Sequence, residues 1–334
     1  MMTYRRSLVC AFLLILTVLV TPLYAQHLET YATPHLFALP TATTTRLFGM
    51  GGFVSCIKDQ GFGQPAFAGM LTENSSVGRA SITEFAGGLR LNGYQGSLAV
   101  PLKSDRQGLQ ITSFTLTSKA GLMNTPLGPV SARLAEEDLS LQYGYRVSPQ
   151  WVFGIGVSPK LHTDTDLSNP LNGMPLAHYH STAKLGARLG GTYQFSNEGC
   201  AGFIFDNYTE DVRGSGLAIG PPVSDTFTSR EIVIGVSQRL SRNVLGAVEW
   251  QQLSSKGAGV TVGDSGLRVG VEVQPAPAWA FRLGSNLGAA STGLGYQDDA
   301  WSCNYTYVRN WNDDSVGPLF GHSNTNQLEL QYHW

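Results

Sequence analysis

Five side chains between residues 162 and 180 could together hold a divalent ion. His162, Asp164, Asp166, His178 and His180 offer imidazole nitrogen and carboxylate oxygen within one stretch. Their expected role is surface charge on a solvated outer loop, so no metal is expected, nor any other cofactor. Asp298-Asp299 and Asp313-Asp314 are read in the same way. Ser265, within Gly263-Asp264-Ser265-Gly266, could act as a nucleophile only with a His base and an orienting acid. No upstream Ala-Ala-His-Cys-like segment supplies that base, and Asp264 falls at an expected loop-to-strand turn, so no enzyme activity is expected. Gly49-Met50-Gly51-Gly52 lacks the βαβ context of a dinucleotide loop and reads instead as a site of close packing. Seven charged residues remain: Arg146, Lys184, Arg188, Arg239, Arg268, Glu272 and Arg282. They can bind the anionic head of an amphipathic ligand by charge-assisted hydrogen bonds, or pair structurally with a segment packed between them.

The elements that must position these charges are strands. Leu139, Leu141, Tyr143, Tyr145 and Val147 alternate with Asp138, Ser140, Gln142, Gly144 and Arg146. From 182 to 195, Ala183, Leu185, Ala187 and Leu189 oppose Thr182, Lys184, Gly186 and Arg188. Ile232, Ile234 and Val236 oppose Glu231, Ser237 and Arg239. Leu267, Val269, Val271 and Val273 oppose Arg268, Gly270, Glu272 and Gln274, while Trp279, Phe281 and Leu283 oppose Arg282 and Asn286. The last strand sets Leu328, Leu330, Tyr332 and Trp334 against Gln327, Glu329, Gln331 and His333. The polar face carries Gly, Ser, Thr, Asn and Gln with isolated charges. That is the lining of a polar-inside barrel, and Tyr and Trp at strand ends match interfacial girdles. An Arg or Lys facing lipid at mid-depth would cost about 2–4 kcal/mol, which places the charges on the inner face. Residues 108–117 and 243–254 alternate poorly and have no clear orientation.

Composition agrees. Only 14% of residues are charged, and 39 of 334 are Gly. With 22 Lys and Arg against 24 Asp and Glu, a nucleic-acid surface is excluded. Arg5-Arg6, the apolar run 7–20 and a site ending at Ala25 form a secretory signal peptide cleaved after Ala25. Cys56, Cys200 and Cys303 are too few and too widely spaced for a disulfide framework. Short connections near 103–107, 148–149, 196–197, 241–243, 275–277 and 297–299 alternate with longer ones. The longer ones lie near 118–135, 162–180, 208–228, 255–264, 287–290 and 310–322. A turn near Leu91–Gly93 completes a count of about 14 antiparallel strands, even as bacterial barrels require.

Residues before 81 break the pattern. Arg46-Leu47-Phe48 leads into Gly49-Met50-Gly51-Gly52, then Asp59, then Gln64-Pro65-Ala66-Phe67-Ala68-Gly69. This run resembles the N-terminal signature of FadL/PorV-like outer-membrane barrels. There a Gly-Met-Gly-Gly segment precedes an acidic residue and an Asn-Pro-Ala-Gly turn; here Gln64 replaces the Asn, and Phe67-Ala68 separate Ala66 from Gly69. Residues 266–284 are similar to that family's late hairpin, and 327–334 to its closing strand. The resemblance implies a plug inside a fourteen-stranded barrel, with Gly49, Met50, Gly51, Gly52, Asp59, Pro65, Ala66 and Gly69 as the plug motif. The expected fold is therefore all-β: a transmembrane antiparallel β-barrel with an N-terminal luminal plug. The expected division is 1–25 signal peptide, 26–80 extension and plug, and 81–334 barrel. The expected place is the outer membrane of a Gram-negative-type bacterium. The FadL branch implies a diffusion channel for hydrophobic or amphipathic small molecules. The PorV branch implies a component of protein secretion and attachment, with secretion proteins as partners. A secreted soluble β-sandwich protein is the reading outside the membrane.

Overall fold

The structure is a computed structural model. It describes residues 44–59, 63–102, 106–125, 128–184, 186–217, 220–257, 260–286, 288–310 and 321–334. The expected signal peptide, residues 1–25, lies outside them.

Fourteen antiparallel strands form the wall. They are β1 (Ser75–Phe85), β2 (Arg90–Pro101), β3 (Gln107–Lys119, continued as Gly121–Thr125), β4 (Gly128–Arg146), β5 (Trp151–Ser168) and β6 (Pro175–Ala183, continued as Gly186–Ser196). Next come β7 (Gly199–Gly216), β8 (Gly220–Ser241), β9 (Val244–Gly257), β10 (Val260–Ala276), β11 (Trp279–Asn286), β12 (Ala289–Gln297), β13 (Trp301–Arg309) and β14 (Ser323–His333). Each strand pairs with the next, and β1 pairs with β14 from Ser75↔His333 to Phe85↔Ser323, so the sheet closes without an edge. The first strand begins ahead of the expected residue 81.

Alternation gives the wall two different faces. Ile155, Phe203, Ile234, Leu267, Phe281 and Leu330 point outward and are exposed. Gln95, Gln142, Ser237, Gln251, Thr306 and Gln327 point inward and are buried. Aromatic contacts mark the rim of short turns. Trp151 packs on Tyr193 at 4.6 Å, Trp279 on Tyr296 at 5.0 Å, and Tyr332 between Trp301 at 4.5 Å and Trp334 at 5.7 Å. The wall is also lopsided. A strand needs about 9–11 residues to span a bilayer. β11 has 8 residues and β12 and β13 have 9 each, whereas β5 and β7 have 18 and β8 has 22. The tall side therefore stands well clear of the hydrocarbon layer.

Three expectations are corrected. The turn placed near Leu91–Gly93 lies inside β2; the chain turns at residues 86–89, where Gly88 supplies φ +83 and Leu89 is fully buried. Much of the expected outer loops is strand. His162, Asp164 and Asp166 lie on β5 and His178 and His180 on the first part of β6, paired as Asp164↔His180 and Asp166↔His178. Above the membrane the outer face meets water, so the apolar half of the alternation is lost and paired strand reads as loop. Lys184 is the third. It sits at the break in β6, and the register with β7 shifts by one residue across that break, from Ala183↔Glu210 to Ala187↔Asn207. Parity inverts there, so Ala183 is buried while Lys184 is exposed outside the lumen and pairs with Asp211 at 3.0 Å.

The two poorly alternating segments now have faces. In β3, Gln110, Thr112, Phe114 and Leu116 point inward; in β9, Ala247, Glu249 and Gln251 do. Apolar side chains inside the lumen blurred their pattern.

Candidate functional site

Residues 44–59 and 63–74 run inside the short-turn half of the barrel, and nearly all of their apolar side chains are buried: Leu47, Phe48, Met50, Phe53 and Cys56 are 0% exposed. Among its described residues the segment is helical only in α1 (Thr45–Gly49) and a 3-10 turn at Pro65–Met70. Thr44 caps α1 by accepting from the Leu47 amide. A chain with so little internal hydrogen bonding must bond to the wall instead. Thr45 N donates to Glu329 at 2.9 Å, Thr306 Oγ1 donates to the Thr45 carbonyl at 2.7 Å, and Ser291 donates to the Gly49 carbonyl at 3.0 Å. Glu249 accepts from the Val54 and Ser55 amides, the latter at 2.7 Å, and from the Ser55 hydroxyl. Gln64 donates to carbonyls of Ser55, Gly191 and Phe203, tying two parts of the plug to two strands.

Charge locks the same contacts. Glu272 accepts from Arg46 at 2.8 Å and from Arg282 at 2.6 Å, so one carboxylate joins two guanidinium groups. Arg268 pairs with Glu249 at 2.6 Å and also bonds Gln251. Arg188 pairs with Asp206 and donates to the Gly63 carbonyl of the plug at 3.2 Å. Burial works against the Arg46 charge, but Glu272, Asp59 and Glu329 outweigh it and raise its pKa. Burial, aided by Glu249, pushes the Cys56 thiol well up, and burial beside Arg146 lowers Lys58.

The wall meets the plug through inward-facing glycine. A Cβ on Gly284 would collide with the Met50 carbonyl carbon, and one on Gly144 with the Gly69 amide. Backbone passes backbone there because no side chain intervenes. Gly284→Val is accordingly expected to destabilise the plugged barrel by about 1–3 kcal/mol or more. Gly96, with nothing near its Cβ position, is the control for the same change. The thermal unfolding midpoint in detergent is the measurement; equal shifts for the two variants would exclude this packing.

The plug motif is thus seated as a unit. Gly49 ends α1, Met50 follows, Gly51 and Gly52 take φ +113 and +82, Asp59 accepts from Thr44 at 2.6 Å, and Pro65, Ala66 and Gly69 form the 3-10 turn. Among the expected lumen charges, Arg188, Arg268, Glu272 and Arg282 face inward and are engaged with the plug or with one another. Arg146 and Arg239 sit at the short-turn rim, where Arg239 donates to the Arg242 carbonyl of the β8–β9 turn at 3.1 Å. Glu249 and Gln64 carry as many plug contacts as any residue yet were not singled out by sequence. Glu249 lies in a poorly alternating strand, and Gln64 was read only as a replacement for Asn. His178–Asp166 at 2.8 Å and His180–Asp164 at 2.7 Å are cross-strand pairs on the outer face, and no described group of three or more such residues could hold a metal ion. Gly263 to Gly266 lie within β10, with Ser265 on its exposed face.

Above the plug the lumen changes character. Leu91, Phe114, Leu116, Ala132 and Leu134 face inward and pack with Phe85 at the end of β1 and Leu89 of the β1–β2 turn, with Met123 and Leu167 against them. The turn is held there by the Leu122 amide donating to the Gly87 carbonyl at 3.0 Å.

No protein-family model matches the chain, and no curated protein matches it in sequence. Solved structures do. The Ralstonia pickettii toluene transporter TbuX superposes with a TM-score of 0.62 at 13% identity, over 89% of this chain and 100% of TbuX. The barrel is FadL-like. The Pseudomonas putida toluene transporter TodX matches at 0.55 and 13% identity, over 85% of this chain and 96% of that one. A Pseudomonas aeruginosa FadL homologue gives 0.52 and 13%, over 87% and 98%. At such identities the likeness is one of fold, and it extends over 96–100% of each of these three structures.

Proposed function

We propose that the protein is an outer-membrane channel through which hydrophobic or amphipathic small molecules diffuse, with residues 1–25 removed as a signal peptide. The observation that carries this reading is the apolar cluster of Phe114, Leu116 and Leu134 on the inner face of the wall above the plug. Inward apolar side chains above a plug give an apolar solute a surface to leave water for, worth about 25 cal/mol per Å² of contact. The printed functions of TbuX and TodX, toluene transport, support the same reading. Of the seven expected ligand residues, Arg188, Arg268, Glu272 and Arg282 enter here as the frame that fixes the plug. No cofactor is needed for diffusion.

Uptake of toluene and of 2-phenylethanol by intact cells that make the protein tests this. Uptake is expected to exceed that of cells with the empty vector, and Leu134→Asp is expected to reduce it severalfold by placing a charge in the apolar chamber. Identical uptake with and without the protein would overturn the channel.

A further inference from the structure

The cysteines of the barrel and plug face different ways. Cys303 of β13 lies opposite Tyr296 and Leu330, whose side chains are exposed on the lipid side. Cys200 and Cys56 meet inside. Gly202, two residues on from Cys200, faces inward, since a Cβ there would collide with the Ser55 carbonyl oxygen of the plug. Alternation puts Cys200 on the same face. Gly202 stands opposite Gly235 of β8, and Cys200 opposite Ser237. These four residues make a frame about 5 Å across and about 7 Å along. Cys56 lies over it. A Cβ on Gly202 would be 3.3 Å from the Cys56 Cα, one on Gly235 would be 2.9 Å from its sulfur, and the Ser237 hydroxyl donates to its carbonyl at 2.8 Å. A residue that touches three corners of such a frame has the fourth within the roughly 4–7 Å Cα separation that a disulfide bridges. The Cys200 thiol is close enough to act on the Cys56 charge. Both thiols are free. Cys56 is closed off at 0% exposure, whereas Cys200 is half-buried and stands second in β7, beside the short β6–β7 turn.

We propose that Cys56 and Cys200 form a disulfide that staples the plug to β7, and that Cys200 is the thiol through which it is made. The staple rests on the seat of the plug and on the outer-membrane location, not on the channel reading. Short turns of such barrels face the periplasm, an oxidising compartment that carries disulfide-transferring oxidases. The Cys200 thiolate attacks one sulfur of an incoming disulfide, from an oxidase or from oxidised glutathione, and the other sulfur leaves as a thiolate. The Cys56 sulfur then attacks the Cys200 sulfur and displaces the carrier sulfur bound to it. The two cysteine protons end on the two released thiolates, so two protein thiols are oxidised and one carrier disulfide is reduced. Burial keeps Cys56 protonated and slows the second step, but it also keeps outside thiols away from Cys56. Once formed, the bond holds the plug independently of Glu249 and Gln64. In the oxidised form Cys56 is blocked whether or not the plug is seated, so alkylation reports plug release only after reduction.

The test treats the reduced, folded barrel in detergent with oxidised glutathione. Free thiols are then alkylated in denaturant, and the unreduced protein is digested with trypsin for mass spectrometry. Peptide 47–58, which holds Cys56, is expected to be linked to peptide 189–213, which holds Cys200. This pair should exceed any pair that includes Cys303 at least about tenfold, because the plug holds the two thiols together, whereas the same chain oxidised in urea should form all three pairs. Cys56→Ser should stop the exchange half-way, with glutathione left on Cys200, and Cys200→Ser should leave Cys56 unmodified. If Cys56→Ser fails to assemble, glutathione on Cys200 at early times in the parent protein reads the same step. The same linked peptides should dominate in cells quenched with acid before alkylation. A folded barrel whose Cys56 stays a free thiol, in detergent or in cells, would overturn the proposal. Dimers joined through Cys200, or a 56–200 pair no more abundant than those with Cys303, would do the same. Glutathione on Cys56 in Cys200→Ser would overturn the route through Cys200.

Discussion

Leu328→Arg is expected to abolish most of the assembled barrel in the membrane, while Gln331→Arg leaves most of it in place. Leu328 is 48% exposed on the outer face of β14, and Gln331 is 6% exposed on the inner face. Both belong to one strand with one register, so the comparison isolates direction from position. A cationic side chain in the hydrocarbon costs about 2–4 kcal/mol at mid-depth and less toward the interface, a factor of about 30 or more in the assembled population. Leu330, also outward but closer to the aromatic rim of Tyr332 and Trp334, should lie between the two. The fraction of heat-modifiable, membrane-embedded protein is the measurement. Equal yields for Leu328→Arg and Gln331→Arg would mean that the outer face of this strand does not meet lipid.

The second large effect is expected at the plug. Glu249→Ala removes the acceptor of the Val54 and Ser55 amides and of the Ser55 hydroxyl, and leaves Arg268 without its carboxylate in a nearly closed site. Deleting one partner of a buried ion pair costs about 3–5 kcal/mol, because the other charge stays buried and uncompensated. The wall keeps its ladders, so the loss should fall on the plug. Cys56 reports it. Its thiol is 0% exposed and adjoins Ser55, and burial holds it protonated, so the folded protein should resist maleimide. Glu249→Ala should make Cys56 reactive in membranes at a rate at least tenfold above the parent, read by mass spectrometry of the labelled peptide. A Cys56 that stays protected, in a barrel whose melting point does not move, would show that Glu249 does not hold the plug.

Both arguments depend on which facts were written along the chain and which only the closed barrel created. Period-two alternation in residues such as Leu328, Leu330 and Tyr332 determines a strand, a lipid face and a lumen face, because the side-chain period of a strand is fixed by backbone geometry. The short turns, the even strand number and the non-alternating Gly-rich segment were legible for the same local reason. Local pattern failed wherever the environment of a face was not uniform. Phe114 and Leu116 point into the lumen, so their strand looked apolar on both faces. His162 to His180 rise above the membrane, where the outer face is wet, so paired strand looked like loop. A one-residue shift at the break in β6 turned Lys184 outward, and no composition rule signals a bulge. What the tertiary structure alone decided is the partner of each inward charge. Arg268 and Glu249 come from neighbouring strands, and Glu249 accepts from the amides of Val54 and Ser55, 195 and 194 residues away in sequence. Alternation fixes that a charge points inward. Which partner each inward charge finds depends on contacts that exist only once the sheet has closed around the plug.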